Sequence, residues 1–516
     1  MTKRTSRILA AVTLAVLTLA GLNSFAQTVQ FNGAGSSAMF QTFALAAYAS
    51  NSCGTNIWTK KSGASGIDSR RGDIPAQTGN VWIVWNNNKT VVCAYLSVDS
   101  IVGNILFFAV PRATLSIPAN EVGATGDNLI PTLTDVPLDQ TVYNELNNVA
   151  FNAAMSDIRP EDALFAVNRA LAPLDSNYNG LGYTGDGLVG VPIVSSQSSA
   201  SATPVAFALT GKDPISGGTV PTWTATNVGA NPVVVFVNTQ NTSSGHFGSS
   251  AFVDVSRFAL TGILNGTLTR TRDITNVPGL PSVGAHVFLR EPISGTYNTM
   301  EFNIPRSVEI GSTQELGVDP NQPGGNPLNI TYPSGGTRER VIGTGQMTST
   351  VGATTDALGY AFWGTGNFAK VLTTTKYLSV DGVDPLNYSW YQSHGNFPNC
   401  IIPCKGLIPF VNILNGSYPA WTILRVATAS PVPTGVAKLI TASNAKAQTA
   451  PDYVPYKSLT MFRSHFDRPG EAHGASNGNA GEPAEAGGDV GGAVFPINAD
   501  NDYFADTGLQ LLGMQQ

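Results

Sequence analysis

Charge is what this chain has least of. Of its 516 residues only 12% are Asp, Glu, Lys or Arg, against roughly 25% in ordinary soluble domains. With Gly, Thr, Ser and Asn abundant, its surface must rely on neutral hydrogen-bonding groups. The few charges sum to a formal net charge of −6 and gather into no basic face. That excludes the electrostatic footprint of a nucleic-acid binder and the Lys/Arg-rich amphipathic helix of a membrane-surface protein. Histidine is rarer still: there are five, scattered, and only His394 falls near a cysteine, Cys400, so metal-ligand spacing is missing.

Long apolar runs are missing too, except at the start. There Lys3, Arg4 and Arg7 precede an apolar stretch from Ile8 to Leu22 and the small-residue tripeptide Ser24-Phe25-Ala26. This is the pattern of a secretory signal peptide, cut after Ala26. The stretch is shorter than the roughly 20 residues a spanning helix needs, and no cysteine follows the cleavage point to carry a lipid. The expectation is a mature protein free in the periplasm or secreted. Four cysteines in an exported chain are expected to form disulfides, and of the three connectivities the favoured one pairs Cys53 with Cys93 and Cys400 with Cys404.

The length exceeds what one core comfortably serves, so two lobes with long loops are expected. Ser37 to Ala49 has helical spacing after a Gly-Ser turn. Val81 to Trp85, Val91 to Leu96 and Ile101 to Val110 are rich in β-branched and aromatic residues and read as strands. The cluster Asn86 to Lys89 reads as a hairpin turn between the first two. Pro160 to Leu171 and Val253 to Leu264 read as helices, and Val233 to Val237 as a buried strand. Strands alternating with helices indicate α/β lobes with open sheets, whose ligands bind at the carboxyl ends of strands. Pro469 to Gly492, dominated by Gly, Ala, Glu and Asn, reads as a flexible element without chemistry.

Four segments carry candidate chemistry. Gly33 to Phe40 and Ser62 to Ile67 offer hydroxyls and free amides, the first at a helix start, where backbone N–H groups and the helix dipole favour an anion. Ala153 to Pro160 carries Ser156 and Asp157. Arg290 to Tyr297 places a guanidinium beside a Ser-Gly-Thr turn. Taken singly, each has an ordinary reading: glycine turns and N-caps for the first three, and for Arg290 a surface salt bridge with Glu291.

Taken in order, these segments resemble the periplasmic phosphate-binding proteins of ABC transporters, of the type 2 periplasmic binding-protein family. Gly33 to Phe40 is similar to that family's first loop, Phe151 to Ala163 to its aspartate loop and helix, Val253 to Thr269 to the helix and turn before its arginine, and Arg290 to Thr296 to its Arg-x-x-x-Ser-Gly-Thr signature. Gly343 to Gln346 through Asp356 to Ala361 is similar to its return through the hinge. The resemblance implies an α/β, two-lobed fold with a hinge and long loop or β insertions. Its expected divisions are 1–26 signal peptide, 27–180 lobe 1 with an insertion at about 70–150, 181–355 lobe 2, and 356–516 returning to lobe 1 with a Gly-rich C-terminal region.

It further implies a monomeric binding protein rather than an enzyme, needing no cofactor, with phosphate or a similar oxyanion as ligand and an ABC permease as partner. Ser37, the amide of Ala38, Ser65 and Ser156 would contact the anion, and Asp157 would accept its proton. Arg290, Ser294, Gly295 and Thr296 would close over it. A fully ionised anion such as sulfate would be repelled by Asp157. Where that family has an acidic residue orienting the arginine, this chain has Pro292, leaving Glu291 as its substitute. The alternatives are a secreted or surface-associated binding module with another ligand, and an exported phosphatase, which would need a general base or metals near Ser37 or Ser294.

Overall fold

The computed structural model describes residues 28–49, 52–61, 67–71, 74–171, 207–277, 283–291, 294–305, 314, 330–341, 343–387, 408–448, 452–465 and 491–496. The expected signal peptide, Ser65, Cys400 and Cys404, the boundary near residue 180, and residues 469–490 of the Gly-rich tract lie outside the described residues.

The strands that shape the site are, in chain order, β1 (Thr28–Gly35), β2 (Asn56–Lys60), β3 (Asn80–Trp85), β4 (Val91–Ser97), β5 (Ala153–Ser156), β6 (Trp223–Asn238), β7 (His286–Leu289), β8 (Thr337–Arg340), β9 (Ala357–Phe362) and β10 (Trp421–Ala429). β1 pairs in parallel with β4 on one side and β5 on the other, and β10 closes this half-sheet antiparallel to β5. The second half-sheet repeats the scheme. β7 pairs in parallel with β8 and β9, and β9 lies antiparallel to β6. In each half the spatial order is second strand, first, third, then an antiparallel crossing strand.

One strand serves both halves. The first part of β6, Trp223 to Pro232, pairs with β10, and Val233 to Val237 pairs with β9. The molecule is therefore a two-lobed α/β protein of the type 2 periplasmic binding-protein fold, with β6 and β10 joining the lobes.

Parallel strands need covered crossovers, and these supply the helices. Lobe 1 has α1 (Phe40–Ala47), α2 (Ser100–Phe108) and α3 (Pro160–Leu171). Lobe 2 has α4 (Arg257–Leu264), α5 (Gly295–Asn303) after β7, α6 (Gly343–Ala353) after β8 and α7 (Thr365–Phe368) after β9. α8 (Thr434–Ala447) follows β10 and packs on α1.

Two elements differ from the sequence reading. Ile101 to Val110 is not a strand: Ile101 to Phe108 lies in α2, every residue of which is buried, and Ala109 caps its end. A short apolar run covered on all sides has no polar face to reveal its period. Gly103 lets this helix lie on β1, since a Cβ there would stand 2.5 Å from the Ala34 carbonyl oxygen. The helix expected over Val253 to Leu264 is shorter, because Asp254–Val255 is a strand and Ser256 caps α4 by accepting from the Ala259 amide.

The hairpin of β3 and β4 turns at Asn86 to Lys89, where Asn86 Oδ1 accepts the amides of Thr90 and Val91. Within the 70–150 stretch, β3, β4 and α2 belong to the main lobe 1 sheet, while Asp68–Arg71, Ile74–Thr78 and Thr114–Ser116 form a separate three-stranded sheet. The expected Cys53–Cys93 disulfide is present, with Cα atoms 5.9 Å apart, and ties the start of β2 to β4. Among the described residues no helix is long and apolar enough to cross a membrane.

Candidate functional site

The carboxyl ends of five parallel strands converge between the lobes, where such sheets offer a crevice. From lobe 1 come Ser36 and Ser37 after β1, Asp99 and Ser100 after β4, and Ser156 and Asp157 at the end of β5. From lobe 2 come Arg290, Glu291 and the turn Ser294 to Thr296 after β7, and Thr344 after β8.

Arg290 is the centre of the cluster. It is not a surface residue: its side chain is 1% exposed. A guanidinium has five N–H donors, and here all five are used. Nε donates to Glu291 Oε2 at 2.8 Å and Nη2 to Glu291 Oε1 at 2.9 Å, a bidentate pair from its own neighbour. Nη2 also donates to Asp99 Oδ1 at 2.9 Å, across the cleft. Nη1 donates to Thr344 Oγ1 at 3.1 Å and Thr296 Oγ1 at 3.2 Å. Glu291 thus does the orienting that its neighbour Pro292 could not, and the amide of Gly343 donates to it as well.

Asp157 faces this cluster from lobe 1. It is buried, and its Oδ1 has no hydrogen-bond partner. A Cβ on Gly295 would stand 2.0 Å from that oxygen, so the first residue of α5 must lack one for the lobes to meet. Burial pushes the Asp157 carboxyl up to about 7, opposed by its own amide, Arg290 and the Ser36 hydroxyl.

Asp99 is also pushed well up, by burial and by repulsion from Glu291, against the pull of Arg290. For Glu291 burial works in the same direction, but Arg290 outweighs it and holds the carboxyl below its usual value. Arg290 stays firmly charged: its burial is overcome by Glu291 and Asp99. Four ionisable side chains with diverging affinities for protons, packed between two lobes, are the kind of cluster that marks a functional site.

The remaining expected residues divide by what they touch. The Ser37 hydroxyl lies 3.2 Å from Thr344 Oγ1, bridging the lobes. The Ala38 amide donates to Ser36 Oγ at 3.2 Å. Ser156 shapes its own loop, donating to the Ile158 carbonyl at 2.6 Å and accepting from Asn104. Ser294 caps α5 by accepting the Tyr297 amide at 3.0 Å.

Four residues to which the sequence reading gave no ligand contact also stand in this cluster: Asp99, Ser100, Thr344 and Ser36. The Ser100 hydroxyl accepts the Asp157 amide at 3.3 Å. Ser65, expected on the second loop, lies outside the described residues, and the loop that follows β4, beside β1, ends at Ser100. The signal for it was the strand-then-small-polar pattern Leu96-Ser97-Val98-Asp99-Ser100.

No family model matches this chain, and no curated protein matches it. Among solved structures it is similar to the phosphate-binding protein of Stenotrophomonas maltophilia, at 13% identity over 84% of this chain and 92% of that one, with a TM-score of 0.36. It is similar as well to the high-affinity periplasmic phosphate-binding protein PfluDING bound with phosphate, at 14% identity over 83% and 91%, with a TM-score of 0.35. An ABC-type phosphate transport receptor from Vibrio cholerae is similar at 16% identity over 48% and 78%, with a TM-score of 0.27. At these identities the likeness is one of fold alone.

Proposed function

We propose that this chain is an exported solute-binding protein that closes its two lobes over a protonated tetrahedral oxyanion, phosphate first, and presents it to an ABC permease. The observation that carries this reading is the meeting of Arg290 with Asp99, Asp157 and Ser37 at the ends of five parallel strands. In a low-dielectric cleft, a guanidinium held by Glu291 is a preorganised planar donor for an oxyanion. The Thr296 and Thr344 hydroxyls now bonded to its Nη1 turn to the same anion as neutral donors. Asp157 then accepts the proton that the bound anion still carries.

The ligand takes the Nη2 donor from Asp99, so the arrangement described above is the closed cleft filled by the chain's own carboxylate. Hinge motion about β6 and β10 opens it. Hydrolysis is disfavoured by the serines themselves. The Ser37 hydroxyl contacts Thr344 and the Ser294 oxygen caps α5, and among the described residues neither is bonded to a histidine or carboxylate that could act as a base.

Isothermal titration of the phosphate-stripped mature protein tests this reading. Phosphate should bind and sulfate should not. Arg290→Lys should lose phosphate binding by about 100-fold, the cost of roughly 3 kcal/mol for charge-assisted bonds that lysine's point charge cannot reproduce. Asp157→Asn should admit sulfate. Absence of heat with every oxyanion would leave the fold without this ligand and move the search to other solutes.

A further inference from the structure

Beside the Arg290 cluster the interlobe cleft opens into a cavity of about 310 Å³. Orthophosphate displaces little more than a water or two, at roughly 30 Å³ each. The cavity falls instead at the lower end of the roughly 300–1,000 Å³ that clefts for organic ligands occupy. Arg290 and Asp157 do not line it, but Ser37 does. The Ser37 hydroxyl is 3.2 Å from Thr344 Oγ1, which accepts Arg290 Nη1 at 3.1 Å. The cavity wall and the guanidinium are therefore joined by two hydrogen bonds through Thr344.

The lining describes what would fill the cavity. Gln41 and Asn128 from lobe 1 and Asn367 from lobe 2 bring side-chain amides, which both donate and accept. Lys61 and Lys370 stand on opposite lobes at the rim, and their ammonium groups pair with no carboxylate among the described residues. They are matched in number by Asp127 and Asp452, so the formal charge of the lining is zero. The Asp452 carboxylate is already engaged by Thr42 and Thr365. A second anionic group gains nothing from a balanced lining. Gln41 donates to Thr365, Asn128 accepts the Asp135 amide and Asn367 donates to the Phe362 carbonyl, and an apolar body would leave the rest of each amide's capacity unused. A neutral body rich in hydroxyls satisfies both.

We propose that the ligand is a phosphate monoester of a polyhydroxy compound, its phosphoryl group on the Arg290 cluster and its hydroxylated body in this cavity. The proposal rests on the oxyanion reading and names the ligand class of the same cleft.

The test is titration of the phosphate-stripped protein with orthophosphate, glycerol phosphate and a hexose phosphate, repeated on the double variant Lys370→Ala with Asn367→Ala. At least one ester should bind about tenfold or more tighter than orthophosphate. The double variant should erase that difference and leave the orthophosphate Kd in place. Orthophosphate binding as tightly as both esters, or a variant that weakens all three alike, overturns the proposal while the oxyanion reading stands. Heat from none of them, or ester binding that survives Arg290→Lys, brings down both.

Discussion

Removing the Asp99 carboxylate should tighten oxyanion binding. Asp99 Oδ1 lies 2.9 Å from Arg290 Nη2, with the two side chains 10% and 1% exposed, and it holds a donor that an incoming anion must take over. A hydrogen bond to a charged partner contributes roughly 1.5–3 kcal/mol. At one decade per 1.4 kcal/mol, freeing Nη2 of this competitor lowers Kd by about 10- to 150-fold. The change is safe for the fold because Glu291 stays bidentate on the guanidinium, so Arg290 does not become an uncompensated buried charge.

A pH signature goes with it. Burial, then Glu291, raise the folded-state pKa of Asp99 against the pull of Arg290. As pH falls through that raised value Asp99 takes up a proton and releases its grip, adding a component of stronger phosphate affinity on acidification that protonation of Asp157 below about 7 opposes. The Asp99→Ala variant should lack that component. Titration calorimetry with phosphate at several pH values between about 5 and 8 reads both effects. A Kd that is weaker in Asp99→Ala, or one that is unchanged with its pH profile intact, would falsify the idea of Asp99 as an internal competitor and make it a contact of the ligand or a bystander.

Two further outcomes depend on the opposite face of the cleft. Gly295→Ala puts a methyl group 2.0 Å from Asp157 Oδ1, so the lobes should stand further apart. Small-angle scattering should show a larger radius of gyration without ligand, and phosphate should bind more weakly by at least about tenfold; identical scattering and affinity would refute the close approach. For Asp157 the folded-state pKa of about 7 exceeds the reference 3.8, so without an anion to share its proton, burial disfavours the charged form. Its favourable contribution is complete below the unfolded pKa and is lost as pH rises through about 7, a loss on the order of 4 kcal/mol. Asp157→Asn should therefore be the more stable protein at alkaline pH in urea unfolding, and a variant that tracks wild type at every pH would contradict this.

The sequence was most readable where structure is local. Val81 to Trp85 and Val91 to Leu96 are rich in β-branched and aromatic residues and turn on an Asn cluster, and they form the expected hairpin. Pro160 to Leu171 carries its acidic first turn and is a helix over that range. Legibility failed at α2, where complete burial erased the period. No local pattern placed the Ser97 to Ser100 stretch beside the first loop, because only sheet order shows that β4 lies beside β1. Arg290 was singled out beside a Ser-Gly-Thr turn, but its environment was not legible. Glu291 is adjacent in sequence, whereas Asp99 lies 191 residues away, and no local pattern links them.

The sharing of β6 between the lobes reaches into how the molecule is assembled. Lobe 1 draws its antiparallel edge from β10, near the end of the described chain, while its first strand is near the start. Synthesis from the N-terminus therefore delivers β1, β4 and β5 long before the strand that completes their sheet, and the first lobe stays unfinished until the second has been made. Melting should follow the same logic in reverse: pulling β6 out of one half-sheet removes it from the other. The two lobes should therefore unfold as a single cooperative unit, with one calorimetric transition rather than two.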